Sequence, residues 1–287
     1  MTIQQQKIVA LVDGSVYSAS VCDHAAWIAG RTGAPVELIH VLGRREASDT
    51  HDHSGAIALG ARTALMEQLA ELDAQRAKLI SHRGRAILED AQALLEKAGM
   101  TEVTTRLRHG DIVEAVSDVE PDARVILIGK RGEAANFAKG HLGSNLERIV
   151  RASHKPVFVA SRAFRPIQKV LVAYDGGASA MKAVDHIASS PLFQGLTVHV
   201  VTVGNATPEV AKGLADAKAM LRATGIEAET SVLSGQPETA LAKLIEDAQF
   251  DMLVMGAYGH SRIRSLIIGS TTTAMIRACK VPVVLVR

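Results

Sequence analysis

The sequence is poor in several residue types that specialised proteins need. Its 287 residues include two cysteines, Cys22 and Cys279, which are far apart and outside any C-x-x-C pair. A disulfide scaffold or a cysteine zinc site is therefore not expected, and such a low cysteine count is typical of a reducing compartment. Aromatic residues make up 3% of the chain, which argues against the stacking platforms that bind single-stranded nucleic acid.

The sequence also lacks a strong charge bias and a long apolar run. Its formal net charge is +2, with acids and bases mixed along the chain, so no basic stripe indicates DNA or RNA as a partner. No apolar run reaches the roughly 18–20 residues of a membrane-spanning helix. The N-terminal stretch MTIQQQKIVALV passes from polar residues directly into a strand-like run, unlike a signal peptide. We therefore expect a soluble cytoplasmic protein.

What the chain does contain is an internal repeat. Five strand-like blocks occur in the same order in each half, which indicates a tandem duplication. The blocks of the first half are KIVALVDGS, PVELIHVL, TTRLRHGD, ARVILIGKRG and KPVFVAS, and their counterparts are KVLVAYDGG, LTVHVVTV, TSVLSGQP, FDMLVMGAYG and VPVVLVR. The short connection at 161–168 predicts two domains, residues 1–162 and 166–287. An insert of about 35 residues, at about 44–80, lengthens the first.

The blocks alternate with amphipathic helical stretches. Strands that are apolar on both faces, separated by helices, predict a parallel sheet with helices on both sides. We predict helices at 18–31, 83–98, 111–118, 144–152, 178–189, 207–223, 237–248 and 270–279. The insert begins with the polar segment REASDTHDHSG and then shows helical spacing, which predicts a loop followed by a longer helix than its second-half counterpart has. The last strand of each half is short and apolar, so the two are expected to pair with each other.

The stretch MGAYGHSRIRSLIIGSTT, residues 255–272, follows an apolar strand and combines three glycines with a run of hydroxyl residues. Ligands of open α/β sheets bind at the carboxyl ends of strands, and a helix N-terminus favours anions. Neither G-x-x-x-x-G-K-[ST] nor a helix-opening G-x-G-x-x-G occurs, so the residues alone predict only an anion site. Asp13 and Asp175, after the first strand of each half, are either ligand groups or turn and cap residues; Ser270 and Thr271 are hydroxyl donors, helix caps or both.

The spacing G-x2-G-x9-G-[ST] at Gly256, Gly259, Gly269 and Ser270, together with VAYDG at 172–176, resembles the universal stress protein family. The resemblance covers nearly the whole chain as two copies and fails only over the insert. It implies two flavodoxin-like units, each a parallel five-stranded α/β sheet of the adenine nucleotide alpha hydrolase type. In the ATP-binding branch of that family, the glycine loop and its hydroxyl residue hold the phosphates, while the first-strand Asp and the end of the second strand hold adenosine.

Carried over by position, the resemblance implies an ATP site in the second half. Its members are Ala173, Asp175, Val203, Met255, Gly256, Gly259, Gly269, Ser270 and Thr271. Ala173 departs from the family, which often has Pro there. The corresponding first-half set is Asp13, Val41, Ile128, Gly129, Gly132, Gly143 and Ser144.

In the first half, ten residues rather than nine separate Gly132 from Gly143, so we predict the second half as the better site. Beside that first-half loop, Lys130 and Arg131 either supply charge or are solvated. We assign no metal site, although the polar loop 51–53 reads His-Asp-His. The implied cofactor is ATP, with Mg²⁺ as an optional companion.

The implied function is an ATP-binding stress-response or signalling module with at most slow ATP hydrolysis. The alternative is a nucleotide-free interaction or structural protein that keeps the fold with degenerate sites. An ATP-dependent transferase is disfavoured, because no Ser/His/Asp, Cys/His or paired-carboxylate pattern has convincing spacing. The expected partners are an adenine nucleotide and, within one chain, the other half as a pseudo-dimer; a homodimer is left open. Neither a nucleic acid nor a membrane is expected as a partner.

Overall fold

The computed structural model describes residues 6–43, 59–132, 143–257 and 270–287. Within these ranges the chain forms ten β-strands, which alternate with helices. The strands are β1 (Lys7–Leu11), β2 (Val36–Leu42), β3 (Val103–His109), β4 (Ala123–Gly129), β5 (Val157–Ala160), β6 (Lys169–Ala173), β7 (Thr197–Val203), β8 (Ala228–Leu233), β9 (Met252–Gly256) and β10 (Val283–Val286).

Eight α-helices connect these strands in the described ranges. They are α1 (Ser18–Thr32), α2 (Leu59–Lys97), α3 (Ile112–Val119), α4 (Ser144–Ala152), α5 (Ala178–Ser189), α6 (Pro208–Ala223), α7 (Pro237–Asp247) and α8 (Ser270–Ala278). Seven of them agree with the predicted helices to within one residue at each end. The eighth, α2, includes the predicted helix at 83–98 and the helical part of the insert.

The ten strands form one sheet in the order β3-β2-β1-β4-β5-β10-β9-β6-β7-β8. Within each half all pairs are parallel, so the two predicted five-stranded parallel units are confirmed. The halves join where β5 pairs antiparallel with β10, with Phe158 opposite Val284 and Val159 opposite Val283. The predicted pairing of the two terminal strands is therefore also confirmed.

Helices cover both faces of the sheet, as the apolar strands predict. One core cluster combines residues of α1, α2, α5 and α6 with one side of the strands, and a second combines residues of α3, α4, α7 and α8 with the other side. Phe158 and Val284 lie in the first cluster, while Val159 and Val283 lie in the second. Each apolar layer therefore continues across the junction of the halves.

Helix α2 has 39 residues, against 16 in its second-half counterpart α6. The prediction of a longer helix in the insert is confirmed, whereas residues 44–58, which include the polar loop and the pair His51 and His53, lie outside the described residues. The C-terminal part of α2 packs closely on the sheet. A Cβ at Gly84 would lie 2.8 Å from Leu107 Cδ1 and 3.0 Å from His40 Cδ2. Within the described part of the chain no helix, the long α2 included, combines the length and the apolar character needed to cross a bilayer.

Candidate functional site

The strand order reverses between β6 and β9 in the second half, and a crevice at the carboxyl ends of strands forms at such a point. Strand β6 ends at Ala173, β7 ends at Val203 and β9 ends at Gly256. Ala173 pairs with Met255 on one side and with Val201 on the other. Four of the predicted second-half residues, Ala173, Val203, Met255 and Gly256, are therefore brought to one edge of the sheet.

Asp175 lies just beyond this edge on a firmly held turn. The N–H of Tyr174 donates to the carbonyl of Val201 over 2.8 Å, and Thr202 Oγ1 donates to the carbonyl of Tyr174 over 2.8 Å. Asp175 itself is exposed, and its Oδ1 accepts a hydrogen bond of 2.8 Å from the N–H of Gly177. Asp175 therefore stabilises the turn, which is one of the two roles that the sequence left open for it. Its carboxylate is also accessible at the crevice, as the other role, binding a ligand, requires.

Gly256 and Met255 are packed against protein. A Cβ at Gly256 would lie 2.8 Å from Ser179 Cβ and 3.0 Å from the backbone nitrogen of Ala180. Glycine is thus needed here so that the start of α5 can approach the end of β9. The Met255 side chain is 7% exposed and belongs to the core. Both residues therefore belong to the packed protein interior beneath the exposed edge residues.

The start of α8 supplies the hydroxyl groups of the predicted site. Ser270 and Thr271 are exposed at the first turn of the helix. Thr272 is buried, and its Oγ1 donates to the carbonyl of Ala257 over 3.2 Å, which ties α8 to the end of β9. The N-terminus of a helix favours anionic groups. Gly259 and Gly269, the other two glycines of the motif, lie outside the described residues.

The first-half edge is built in the same way, but its Asp is more enclosed. Oδ1 of Asp13 accepts hydrogen bonds from the N–H of Ser15 over 3.0 Å and from Ser18 Oγ over 3.3 Å. Ser18 Oγ in turn accepts from the N–H groups of Asp13 and Gly14. On the other side, a Cβ at Gly132 would lie 2.9 Å from Asp13 Oδ2. The carboxylate is therefore wedged between the start of α1 and the loop after β4.

The structure also brings the remaining first-half residues to this edge. A Cβ at Gly143, the N-cap of α4, would lie 3.8 Å from the backbone nitrogen of Gly132. Ser144 is exposed at the first position of that helix. Val41 and Ile128 pack against the core. Gly129 gives room to α1, since a Cβ there would lie 2.7 Å from Tyr17 Cβ.

Lys130 joins the two halves. Its Nζ donates to the carbonyl of Cys279 over 2.5 Å, and burial lowers the pKa of its ammonium group from the ordinary value. This contact with the second half differs from both open interpretations of Lys130. Sequence patterns do not reveal such a contact, since Lys130 and Cys279 are 149 positions apart.

An ion pair supports α4 beside the first-half edge. Arg148 Nη2 lies 2.6 Å from Asp111 Oδ2, while Asp111 Oδ1 caps α3 by accepting from the N–H of Val113. The hydrogen bond from Arg148 holds the pKa of the Asp111 carboxyl below its usual value. Gln236 is the corresponding N-cap of α7 in the second half, and an amide cannot form such an ion pair.

The comparisons with known proteins agree with this architecture. The model of the family described as "Universal stress protein family" matches residues 5–161 and 205–287, which is more than half of the chain. The chain belongs to the universal stress protein family. The family that the glycine motif resembles is therefore confirmed.

Several universal stress proteins are similar to this chain along most of its length. The protein Slr1230 of Synechocystis sp. is 38% identical over 286 residues, which cover 98% of this chain and 100% of that protein. The protein Rv1996 of Mycobacterium tuberculosis is 24% identical over 249 residues, 75% of this chain and 78% of that one. The crystal structure of a universal stress protein from Archaeoglobus fulgidus has a TM-score of 0.75 and 22% identity, with 99% of both chains covered, which shows the shared fold.

Sequence reasoning missed the side chains that hold the two Asp turns of this universal stress protein. His40 Nδ1 donates to the carbonyl of Val12, 2.7 Å away, as Thr202 does to that of Tyr174. A carbonyl oxygen can only accept, so this contact places the hydrogen on Nδ1 of His40. His40 and Thr202 occupy corresponding positions of β2 and β7. Their polarity within apolar strands was the available signal.

A cleft of about 470 Å³ lies away from both edges, beside the amino ends of β9 and β10. Three of its charged groups are already partnered: Lys280 Nζ lies 2.8 Å from Glu246 Oε1, and Asp251 Oδ2 accepts from the N–H groups of Gln168 and Lys169, each over 2.9 Å. None of the predicted site residues lines this cleft. We therefore treat it as a gap between packed segments.

Proposed function

We propose that this universal stress protein binds ATP at the second-half edge and acts as a stress-response or signalling module in the cytoplasm. The proposed site comprises Ala173, Asp175, Val203, Met255, Gly256, Gly259, Gly269, Ser270 and Thr271. We also propose that the chain divides into two domains, residues 1–162 and 166–287. The low cysteine count supports the location, and the repeated order of five strands supports the domain division.

The observation that carries this proposal is the position of three exposed polar residues at the crevice. Asp175 follows β6, and Ser270 and Thr271 begin α8, which Thr272 ties to the end of β9. Strands β6 and β9 are neighbours at the point where the strand order reverses. An acceptor and two hydroxyl donors therefore share the edge where ligands of such sheets bind.

The chemistry of these groups fits a nucleotide. The start of α8 offers hydroxyl and amide donors to phosphate oxygens, with the helix dipole in the favourable direction. The Asp175 carboxylate accepts hydrogen bonds, which suits ribose hydroxyls or an adenine amino group. Val203, at the end of β7, is partly exposed and apolar, which suits the flat face of a base. Mg²⁺ remains an optional companion of the phosphates.

The first-half edge ranks lower in this proposal. Asp13 is partly buried, and its carboxylate accepts from the Ser18 hydroxyl in addition to a backbone hydrogen bond like the one that Asp175 also has. A ligand hydroxyl would have to compete with these contacts. Its glycine loop is also one residue longer than the family spacing.

Matched substitutions in the two halves test the proposal. We expect ATP to bind the unmodified protein with a stoichiometry near one in isothermal titration calorimetry. Asp175→Ala should weaken binding about tenfold, because a hydrogen bond to a charged group contributes about 1.5–3 kcal/mol. Asp13→Ala should change the dissociation constant less than about twofold. Ser270→Ala should likewise weaken ATP binding more than Ser144→Ala does. Each variant's thermal unfolding serves as the control for folding.

Three results would contradict the assignment. Equal losses from Asp13→Ala and Asp175→Ala would show that the ranking of the halves is wrong. An undetectable interaction of ATP with the unmodified protein would instead favour the nucleotide-free alternative. A further variant, Gly269→Val, should abolish binding while leaving the fold largely intact, and an unchanged dissociation constant would contradict the assignment of the phosphate loop.

A further inference from the structure

The N-terminal part of α2 extends beyond the sheet that its C-terminal part covers. Gly84 lies against Leu42 and Leu107, at the carboxyl ends of β2 and β3, and Ile87 lies against Gly14, just past the end of β1. Residues 65–83, here called the projecting segment, precede these contacts in the helix. At 1.5 Å per residue they continue for about 27 Å past the edge.

One face of the projecting segment is apolar and exposed. Leu65, Leu72 and Leu79 recur every seven residues, which places them on the same side of the helix. Leu72 is 61% exposed and Leu79 is 71% exposed, and Met66 beside them is 44% exposed. Most helical stability in proteins comes from packing of an apolar face. Burial of this face against another surface would therefore stabilise the projecting segment.

The charges of the projecting segment are divided along its length. The acidic residues Glu67, Glu71 and Asp73 lie in its first part, and the basic residues Arg76, Lys78 and Arg83 lie in its second part. All six are exposed. A second copy in antiparallel orientation, with the two-fold axis near Gln75, would place each acidic part beside the basic part of the other copy.

The alternative parallel orientation is unfavourable. Arg76 and Arg83 project from the same side as the leucines, so parallel copies would bring each arginine against its own counterpart. In the antiparallel arrangement Arg76 comes level with the partner's Asp73, which flanks the leucine side of the helix. Opposite charges flanking an apolar seam specify the orientation of coiled coils.

We propose that the projecting segments of two copies of this chain pair as an antiparallel two-helix coiled coil, which makes the protein a homodimer. The surface is self-complementary, as a two-fold interface requires. It is separate from the β5–β10 pairing within the chain and from the second-half ATP site. It uses the insert that distinguishes the first half from the second.

Sedimentation equilibrium over a range of protein concentrations tests the apolar seam. We expect a dimer for the unmodified chain, and we expect Leu72→Asn and Leu79→Asn each to weaken its dissociation constant at least tenfold. Leu94→Asn is the matched control, because Leu94 is 40% exposed on the same helix but lies outside the projecting segment. It should change the constant less than twofold. A monomeric unmodified chain, or leucine variants that dimerise like the control, would overturn the proposal.

Cysteine cross-linking tests the orientation. Gln68 and His82 lie on the same flank of the leucine face, symmetrically about Gln75, and the native Cys22 and Cys279 are buried. Gln68→Cys protein mixed with His82→Cys protein should form a disulfide-linked dimer under mild oxidation, whereas each variant alone should remain largely unlinked. Efficient cross-linking of each single variant with itself would show parallel helices and contradict the arrangement.

Discussion

The two halves carry the same scaffold and differ in how they use its carboxyl edge. In the first half, Ser15 and Ser18 hold the carboxylate of Asp13. In the second half the N–H of Gly177 makes the same backbone hydrogen bond to Asp175 that Ser15 makes to Asp13, but Ala180 replaces Ser18 and its hydroxyl, and Asp175 is exposed. The backbone framework thus tolerates exchange of the side chains around it. The two copies of a duplicated fold can therefore hold the Asp after their first strands with different side chains.

The helices that follow the second strand of each half show a similar divergence. Helix α6 lies along the sheet, whereas α2 covers the sheet and then continues beyond it. Lys130 adds a contact from the first-half loop to Cys279 of the second half. Among the described residues, Ser18 and Lys130 therefore make side-chain contacts that their second-half counterparts, Ala180 and Ala257, cannot make.

The largest expected effect concerns the glycines that end β4 and β9. Gly129→Ala and Gly256→Ala should each lower the free energy of unfolding by about 2–3 kcal/mol, because the new Cβ would meet Tyr17 Cβ at 2.7 Å and Ser179 Cβ at 2.8 Å. These atoms are attached to backbone and cannot move cheaply. Urea denaturation of the two variants measures the effect, and similar losses would show that both halves need the same close approach.

Gly30→Ala is the matched control for these glycines. Gly30 lies inside α1, and a Cβ there would meet no other atom within 4 Å. Alanine should therefore stabilise the protein by up to about 1 kcal/mol, since glycine is unfavourable inside a helix. Destabilisation by all three substitutions would contradict the steric explanation.

The next effect concerns two histidines at corresponding positions of α1 and α5. Burial lowers the pKa of both His24 and His186 from 6.5 to about 4. His24 is fully buried against Phe158 and Phe164, while His186 packs against Phe193 and is partly exposed. Because the folded-state pKa is depressed, the neutral ring favours folding above pH 6.5, and this contribution is lost as the pH falls towards 4.

Replacing these rings should therefore flatten the acid side of the stability profile. We expect His24→Leu to remove about 2 kcal/mol of the loss in unfolding free energy between pH 7 and pH 5. His186→Leu should remove less, because water can reach a partly exposed ring. Urea denaturation at several pH values gives the slope of the unfolding free energy against pH for each variant. Comparing slopes removes the change in stability that each substitution causes at neutral pH. Profiles parallel to that of the unmodified protein would contradict the prediction.

The smallest effect concerns the ion pair between Asp111 and Arg148. Its hydrogen bond lowers the pKa of Asp111, so the contribution to stability is present above the ordinary carboxyl pKa and lost as the pH falls through the lowered value. Since the pair is partly exposed, Asp111→Asn should cost less than about 1 kcal/mol at pH 7. The corresponding Gln236→Asn should leave the acid dependence unchanged. A pH-independent effect of Asp111→Asn would show that the ion pair is not the cause.

Much of the fold follows from local pattern. The repeated apolar blocks and the amphipathic stretches between them predicted seven helices to within one residue, because the periodicity of burial is a property of short segments. The pairing of β5 with β10 was also predictable, since short apolar edge strands invite pairing, whereas its antiparallel orientation was not predicted. The motif spacing correctly indicated the universal stress protein family.

The contacts that hold the site were not predictable in the same way. His40 bonds to the carbonyl of Val12, 28 positions away, and Lys130 bonds to that of Cys279. The sequence shows each polar residue but not the carbonyl that it will meet. The role of Gly256 was likewise hidden, because the close approach of Ser179 depends on how α5 sits on the sheet.

The sequence by itself determined the number of strands, their order along the chain, the helices between them and the duplication. These features follow from the periodicity and order of apolar residues. Tertiary structure decided which Asp is enclosed and which is exposed, which lysine connects the halves and which part of the long helix is left without a sheet beneath it. These outcomes depend on distances between residues far apart in the chain, and such distances exist only once the sheet has assembled and the helices have packed on it.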